Sequence, residues 1–331
     1  MLGSAAIDNI AAILRASRGI AAKGDIAATV ARLGVSSEII VPVGDDCAAI
    51  PDGDGFLLLA IEGFMNEFVA ADPWFAGWCG VMVNISDVAA MGGRPIAVVD
   101  AVWAASEADA EPLLSGMREA SRAFGVPVVG GHTNTRADRG QLSVAILGRA
   151  RRLLSSFDAK PGDRLVAAID LRGRYRGPFS NWEAATGVPA ARLRGDLEVL
   201  PAIAEAGLAF AAKDVSQGGI VGTAMMLAEC SNVAATINVA AVPRPDGMAL
   251  ERWLLTFPSY GYILSVASGK VAAVIGRFTA RGIAAAEIGE IMEGRHVAIT
   301  DGCATETVWD FARAPLIGCG QFHFADSEAL A

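Results

Sequence analysis

Asn84-Ile85-Ser86-Asp87-Val88-Ala89-Ala90-Met91-Gly92-Gly93-Arg94-Pro95 is the stretch around which the rest of the chain is organised. Apolar residues at Trp78, Val81, Ile85 and Val88, three and four apart, predict the buried face of a helix that begins near Trp74. Gly92-Gly93 supplies a left-handed stop, and Pro95 forbids continuation. Asn84, Asp87 and Met91 form a second stripe beside the first. An acid on so apolar a helix has two readings from pattern alone, a solvated edge or a carboxylate aimed into a cleft.

At 331 residues the chain is long for one core, and two domains are expected. With 53% hydrophobic and 19% charged residues it can bury large cores and is not disordered. A formal charge of −9 argues against a nucleic-acid partner, because such partners need basic patches. It leaves room for a nucleotide substrate, whose phosphates need only local donors or metal ions. No apolar run reaches the roughly 18–20 residues that cross a bilayer, and Met1-Leu2-Gly3-Ser4 does not read as a signal peptide. Five scattered cysteines without a Cys-x-x-Cys pair predict a reduced, cytoplasmic protein with neither a disulfide framework nor a zinc site.

In chain order, short helices are expected at 6–17 and 25–33, then a strand from Ile39 to Val43 leading to Gly44-Asp45-Asp46. Pro51 to Gly55 is a hairpin turn, and Phe56 to Ile61 a buried strand that delivers Glu62 at its end. A strand at Ile96 to Trp103 and a helix near 109–124 follow. Val126 to Val129 is a short strand running into a glycine turn, Gly130-Gly131-His132, and Leu142 to Leu147 is another strand. The composition shift from Arg149 to Asp163 marks a junction, giving domains at 1–155 and 156–331. Beyond it a second α/β unit begins at Leu165 to Ile169. The aromatic segment 175–182 is a candidate substrate lid or simple packing, and Lys213-Asp214-Val215-Ser216-Gln217-Gly218-Gly219 opens a helix.

Asp45, Asp46, Glu62, Asp87 and Asp214 recur at the ends of apolar strands or the edge of an apolar helix. Singly each reads as a turn former or a cap. Together they read as a convergent carboxylate cluster. Two such groups about 4–5 Å apart repel by about 3–4 kcal/mol at an effective dielectric near 20, so a cluster requires protons or cations. Oxygen-only ligands favour Mg²⁺, Mn²⁺ or Ca²⁺. Gly130-Gly131, and Gly218-Gly219 before a helix, are places where backbone amides can meet phosphate oxygens, although such pairs are also common in ordinary turns. His132 is a candidate general base, and Lys23 a candidate phosphate contact.

Gly44 to Ala48, Asn84 to Pro95, Val129 to Asn134, Lys160 to Asp163 and Asp214 to Gly219 occur in the order and spacing of the aminoimidazole-ribonucleotide (AIR) synthase-related superfamily, which the chain resembles over nearly its whole length. The superfamily includes thiamine-monophosphate kinase, whose form of the Asn84–Pro95 segment is the closest. The resemblance implies a two-domain α/β (α+β) fold, with an N-terminal mixed-sheet domain that pairs in a homodimer and a C-terminal α/β domain. It implies Mg²⁺ and ATP as cofactors, with Asp46, Asp87 and Asp214 as metal ligands. Ser216 would be a nucleotide contact, Gly130-Gly131 the phosphate turn, and Asn84 a brace of the metal shell. Asp45 and Glu62 are the further metal candidates, and Glu62 and His132 the catalytic ones.

Departures from the kinase pattern sit together. Ala60-Ile61-Glu62 replaces Thr-Thr-Asp, His132 replaces Asp or Asn, and Gln217-Gly218-Gly219 replaces Asp-Gly-Leu. Ser156 stands where an arginine is common, and Pro258 to Gly261 where Gly-Gly-Glu-Asp is expected. The expected activity is therefore γ-phosphate transfer from ATP to a small metabolite, or its activation by ATP. The alternatives are a degenerate nucleotide-binding scaffold and an ATP-dependent ligase that forms C–N bonds.

Overall fold

The computed structural model describes residues 4–34 and 41–319. The chain divides into two compact units. The first comprises Asp46–Leu153 and Gly187–Glu205, and the second holds the remaining described residues.

The first unit is built on a five-stranded mixed sheet. Its strands are β1 (Ala48–Asp52), β2 (Gly55–Gly63), β3 (Arg94–Trp103), β4 (Val128–Asn134) and β5 (Gln141–Ala150), in the order β1-β2-β5-β3-β4. All neighbours are antiparallel except β3 and β4, which are parallel as the intervening helix requires. Helices Pro73–Ala90 and Glu107–Phe124 cover one face. Asp72 caps the first by accepting from Phe75 N at 3.1 Å, and Ser106 caps the second through Asp109 N at 3.2 Å. The two helices approach closely because a Cβ at Gly77 or Gly116 would lie 1.9 Å from a carbonyl oxygen of the other helix.

Alternation along the strands separates two faces. Leu58, Val98, Val102, Leu142, Val144 and Ile146 point to the helices and are buried. Leu59, Ile61, Val99 and Leu147 point the other way and are 47%, 70%, 42% and 37% exposed. The expectation of a fully buried strand at Phe56 to Ile61 is thereby corrected, since only the helix-facing residues are covered. Helices Ala190–Leu197 and Val199–Glu205 belong to this unit too. Arg194 donates to the carbonyls of Ala123 and Arg122 at 3.0 and 2.6 Å, and Arg94 pairs with Glu205 at 2.6 Å.

In the second unit a seven-stranded sheet carries the core. Its strands are β6 (Asp163–Ile169), β9 (Ala211–Asp214), β10 (Ala234–Asn238), β12 (Gly261–Ala267), β13 (Ala284–Met292), β14 (His296–Thr300) and β15 (Thr305–Asp310). They run in the order β15-β14-β10-β13-β6-β12-β9. A small sheet joins β7 (Arg174–Tyr175), β8 (Asn181–Glu183) and β11 (Phe257–Pro258). Ile7, Ile10 and Leu14, on helix Ser4–Arg15, are at most 1% exposed and lie in this core. The N-terminal helices therefore pack with the second unit, and residues 187–205 with the first, so the units differ from a single cut at residue 155. The chain does pass from first to second unit at Leu153–Leu154, within the junction read from composition.

Val41 to Val43 is not strand, and Ile39 and Ile40 lie outside the described residues. Strands β13 and β15 had no clear sequence signal. Ala284-Ala285-Ala286-Glu287 in particular has helical propensity, which sheet pairing overrides.

Candidate active site

Helix Pro73–Ala90 is buried on nearly every side, including Asn84 at 0% and Asp87 at 5% exposure. The sheet takes one side and helix Glu107–Phe124 another, so the second stripe is as dry as the first. The reading of Asp87 as a solvated edge is therefore excluded. Within the same unit Asp46, half-buried in the loop before β1, brings a carboxylate oxygen within 4.8 Å of one from Asp87. At that separation, about 3–4 kcal/mol of repulsion at an effective dielectric near 20 opposes full ionisation of the pair unless a cation lies between. Asn84 sits one turn before Asp87. Its Nδ2 donates to Gly80 O at 2.8 Å, while its buried Oδ1 has no hydrogen-bond partner among the described residues. Two close carboxylates are all-oxygen donors, which suit a hard divalent cation such as Mg²⁺, and the Asn84 amide oxygen is a spare acceptor one turn away on the same helix.

The other expected residues fare differently. Glu62 pairs with Val144 across β2 and β5, and Val144 is fully buried, so Glu62 belongs to the helix-covered side and is half-buried. His132 pairs with Ala101, which in turn pairs with Ser143, on the open face of the sheet. The sheet therefore stands between His132 and the helix that carries Asp87. His132 packs instead near Trp103, with ring centroids 5.8 Å apart. The candidate general base and Asp87 thus stand on opposite faces of the sheet. Gly130 and Gly131 form no turn: both are ladder residues of the exposed edge strand β4. Gly131 is needed for close approach, because a Cβ there would lie 2.7 Å from the Asp100 carboxylate.

Asp45, the other metal candidate of this loop, is not among the carboxylates that converge with Asp87. Ser156 Oγ donates to its Oδ1 at 2.7 Å, while Ser155 Oγ and Ser156 N donate to its Oδ2 at 2.8 and 3.0 Å. Both oxygens thus serve the fold of the second unit.

In that unit Asp214 closes β9, paired with Tyr262, and is 5% exposed. Ser216 follows in the turn, its N donating to Thr223 Oγ1 at 3.2 Å and its buried Oγ without a hydrogen-bond partner among the described residues. Gly219 opens helix Gly219–Ser231 with φ +68°, and a Cβ there would lie 2.1 Å from Leu254 O. Packing thus accounts for this glycine without a phosphate. Lys23 lies in a single 3₁₀ turn, Ala22–Gly24. The lid candidate at 175–182 is packed at its aromatic positions. Trp182 is 5% exposed, donates to Asp170 O at 3.0 Å and meets Tyr175 and Trp253 edge-on. Burial pushes the Cys230 thiol well up and the Cys319 thiol up, against thiolate chemistry.

Two groups, the half-buried Asp100 and the buried Lys213, escaped the sequence reading. Asp100 lies mid-strand on the helix side of β3, where burial raises its carboxyl above the ordinary range. An acid inside the apolar run Ile96 to Trp103 was the available signal. Lys213, 4% exposed, donates to Gly44 O at 3.3 Å.

Residues 44–150 match the AIR synthase related protein N-terminal domain, and residues 179–302 match its C-terminal domain. The chain belongs to the AIR synthase-related family. It is 48% identical over 280 residues to an uncharacterized protein of Synechocystis sp., covering 84% of this chain and 87% of that protein. It is 31% identical over 210 residues to a thiamine-monophosphate kinase of Methanopyrus kandleri, covering 62% of this chain and 67% of the kinase. Among solved structures, T. maritima PurL complexed with ADP superposes with a TM-score of 0.71 at 19% identity over 86% of this chain. The chain spans about half, 48%, of that larger structure. The fold is the mixed α/β, two-domain AIR synthase-like fold.

Proposed function

We propose that this AIR synthase-related chain is a Mg²⁺- and ATP-dependent enzyme that transfers the γ-phosphate of ATP to a small metabolite, or activates that metabolite with ATP. The observation that carries the reading is the Asp46–Asp87 pair, held within 4.8 Å on and beside a helix buried on nearly every side. Asp46 and Asp87 would hold Mg²⁺, with Asn84 bracing the shell through its Oδ1. A bound Mg²⁺ supplies charge neutralisation to the transferring phosphoryl group. The chain itself contributes positioning: the buried helix fixes Asp87, and Ser216 offers its unpartnered Oγ to the nucleotide. Likeness to a thiamine-monophosphate kinase and to an ADP-bound PurL supports the nucleotide part of the reading. The open apolar face of the first unit's sheet supports a homodimer, in which a second copy covers Leu59 and Ile61.

A second reading, a nucleotide-binding scaffold, is favoured by one observation. His132 stands on the sheet face opposite Asp87, which leaves the site without that base. Mg²⁺-dependent ADP release, measured across phosphate-acceptor metabolites with and without an added amine, separates these readings. Release with an acceptor supports transfer, and dependence on the amine supports C–N ligation. Binding of Mg-ATP without turnover on any acceptor supports the scaffold.

A further inference from the structure

Asp45 and Asp46 are neighbours with different partners. Asp46 has its carboxylate beside Asp87. Asp45 turns into the second unit, where it receives three hydrogen bonds from Ser155 and Ser156, each 2.7–3.0 Å long. The chain passes between units at Asp45–Asp46 and again at Leu153–Leu154, so these bonds tie the two crossings together on the second unit's side.

The anchorage continues behind them. Ser156 O accepts from Ser231 Oγ at 2.6 Å, at the end of helix Gly219–Ser231, and the same hydroxyl accepts from Ala159 N at 2.9 Å. One residue earlier, Gly44 O accepts from the buried Lys213 Nζ at 3.3 Å and from Cys230 Sγ at 3.6 Å. Gly44 has φ +131°, and a Cβ would lie 2.8 Å from Cys319 Cβ, so the backbone there has little room to move.

We infer that Asp45 is a positioning residue that acts through Asp46: its clamp on Ser155–Ser156 fixes the backbone from which Asp46 reaches its ligand position. This rests on the metal reading proposed above. Asp45 itself is not among the carboxylates that converge with Asp87, and both of its oxygens accept hydrogen bonds in the clamp. The sequence places two equivalent acids here, and the hydrogen bonds divide them into one that holds the loop and one that meets the ligand.

The two ions Mg²⁺ and Ca²⁺ discriminate positioning from ligation. Mg²⁺ demands near-ideal octahedral geometry at short distances, whereas Ca²⁺ accepts longer and irregular contacts. Calorimetric titration of the full chain with each ion, for Asp45→Ala, Ser156→Ala, the double variant and Asp46→Asn, is the test. Asp45→Ala and Ser156→Ala should each weaken Mg²⁺ by about 10- to 100-fold, the range for residues that orient a ligand, and weaken Ca²⁺ much less. The double variant should be no worse than Asp45→Ala alone, because both changes break one clamp. Asp46→Asn should weaken both ions alike. Ser156→Ala keeps the carboxylate and tests the clamp even where Asp45→Ala does not fold. Equal loss of both ions in Asp45→Ala, with Ser156→Ala silent, would make Asp45 a ligand and overturn the inference. So would unchanged Mg²⁺ binding in both clamp variants. Unchanged binding in Asp46→Asn would instead remove the metal reading itself, and this inference with it.

Discussion

The two faces of the sheet in the first unit are drawn from the same strands and are nearly equally apolar, yet they meet different fates. Leu58, Val144 and Ile146 lie under two helices, at most 1% exposed, on the side where Glu62 also points. Leu59, Ile61 and Leu147, on the alternate positions of the same strands, remain 37–70% exposed, on the side of His132. An apolar strand thus shows that both faces are apolar without showing whether or by what each is covered. The helix face is covered by this chain, and the open face is where we propose a second copy.

Three changes probe that contrast. The largest effect is expected from Leu58→Ala, which empties a site packed against Val88 and Gly93 and should cost about 2–5 kcal/mol in urea unfolding. A cost as small as that of Leu59→Ala, its neighbour on the open face, would erase the distinction between the faces. Ile61→Lys comes next: it should leave the fold intact but move the sedimentation coefficient of a dimer to that of a monomer. Retention of a dimer would show that another surface makes it.

The smallest effect concerns Arg94 and Glu205, which join β3 to helix Val199–Glu205. The hydrogen bond from Arg94 holds the Glu205 carboxyl below its ordinary value of 4.5. The pair's contribution, at most about 1 kcal/mol for so exposed a contact, is present above the unfolded carboxylate's pKa. It is lost as pH falls through the lower folded value. The stability gap between wild type and Glu205→Gln should therefore be open at neutral pH and closed in acid. A gap independent of pH would mean that the ion pair does not join helix to strand.

Much of this was legible in the sequence, and what was not has identifiable causes. The helix through Asp87 was recoverable because its spacing, its Pro and its glycine stop agree. The family followed from motif order, which survives even where single residues change. Gly130-Gly131 misled because paired glycines signal a turn, while here parallel pairing with β3 carries the strand through them. Asp45 and Asp46 could not be told apart because their difference lies in hydrogen bonds to Ser155 and Ser156, more than a hundred positions away. The face that His132 occupies was not legible, because strand register, rather than proximity in sequence, decides it.

We propose that Asp87, on the covered side, holds the metal and that His132, on the open side, does not. Calorimetric titration of Mg²⁺ with a non-hydrolysable ATP analogue, for Asp87→Asn and His132→Ala side by side, tests it most directly. Asp87→Asn should lose Mg²⁺-dependent nucleotide binding while keeping its fold, and His132→Ala should bind as the wild type does. Wild-type affinity in Asp87→Asn would contradict it.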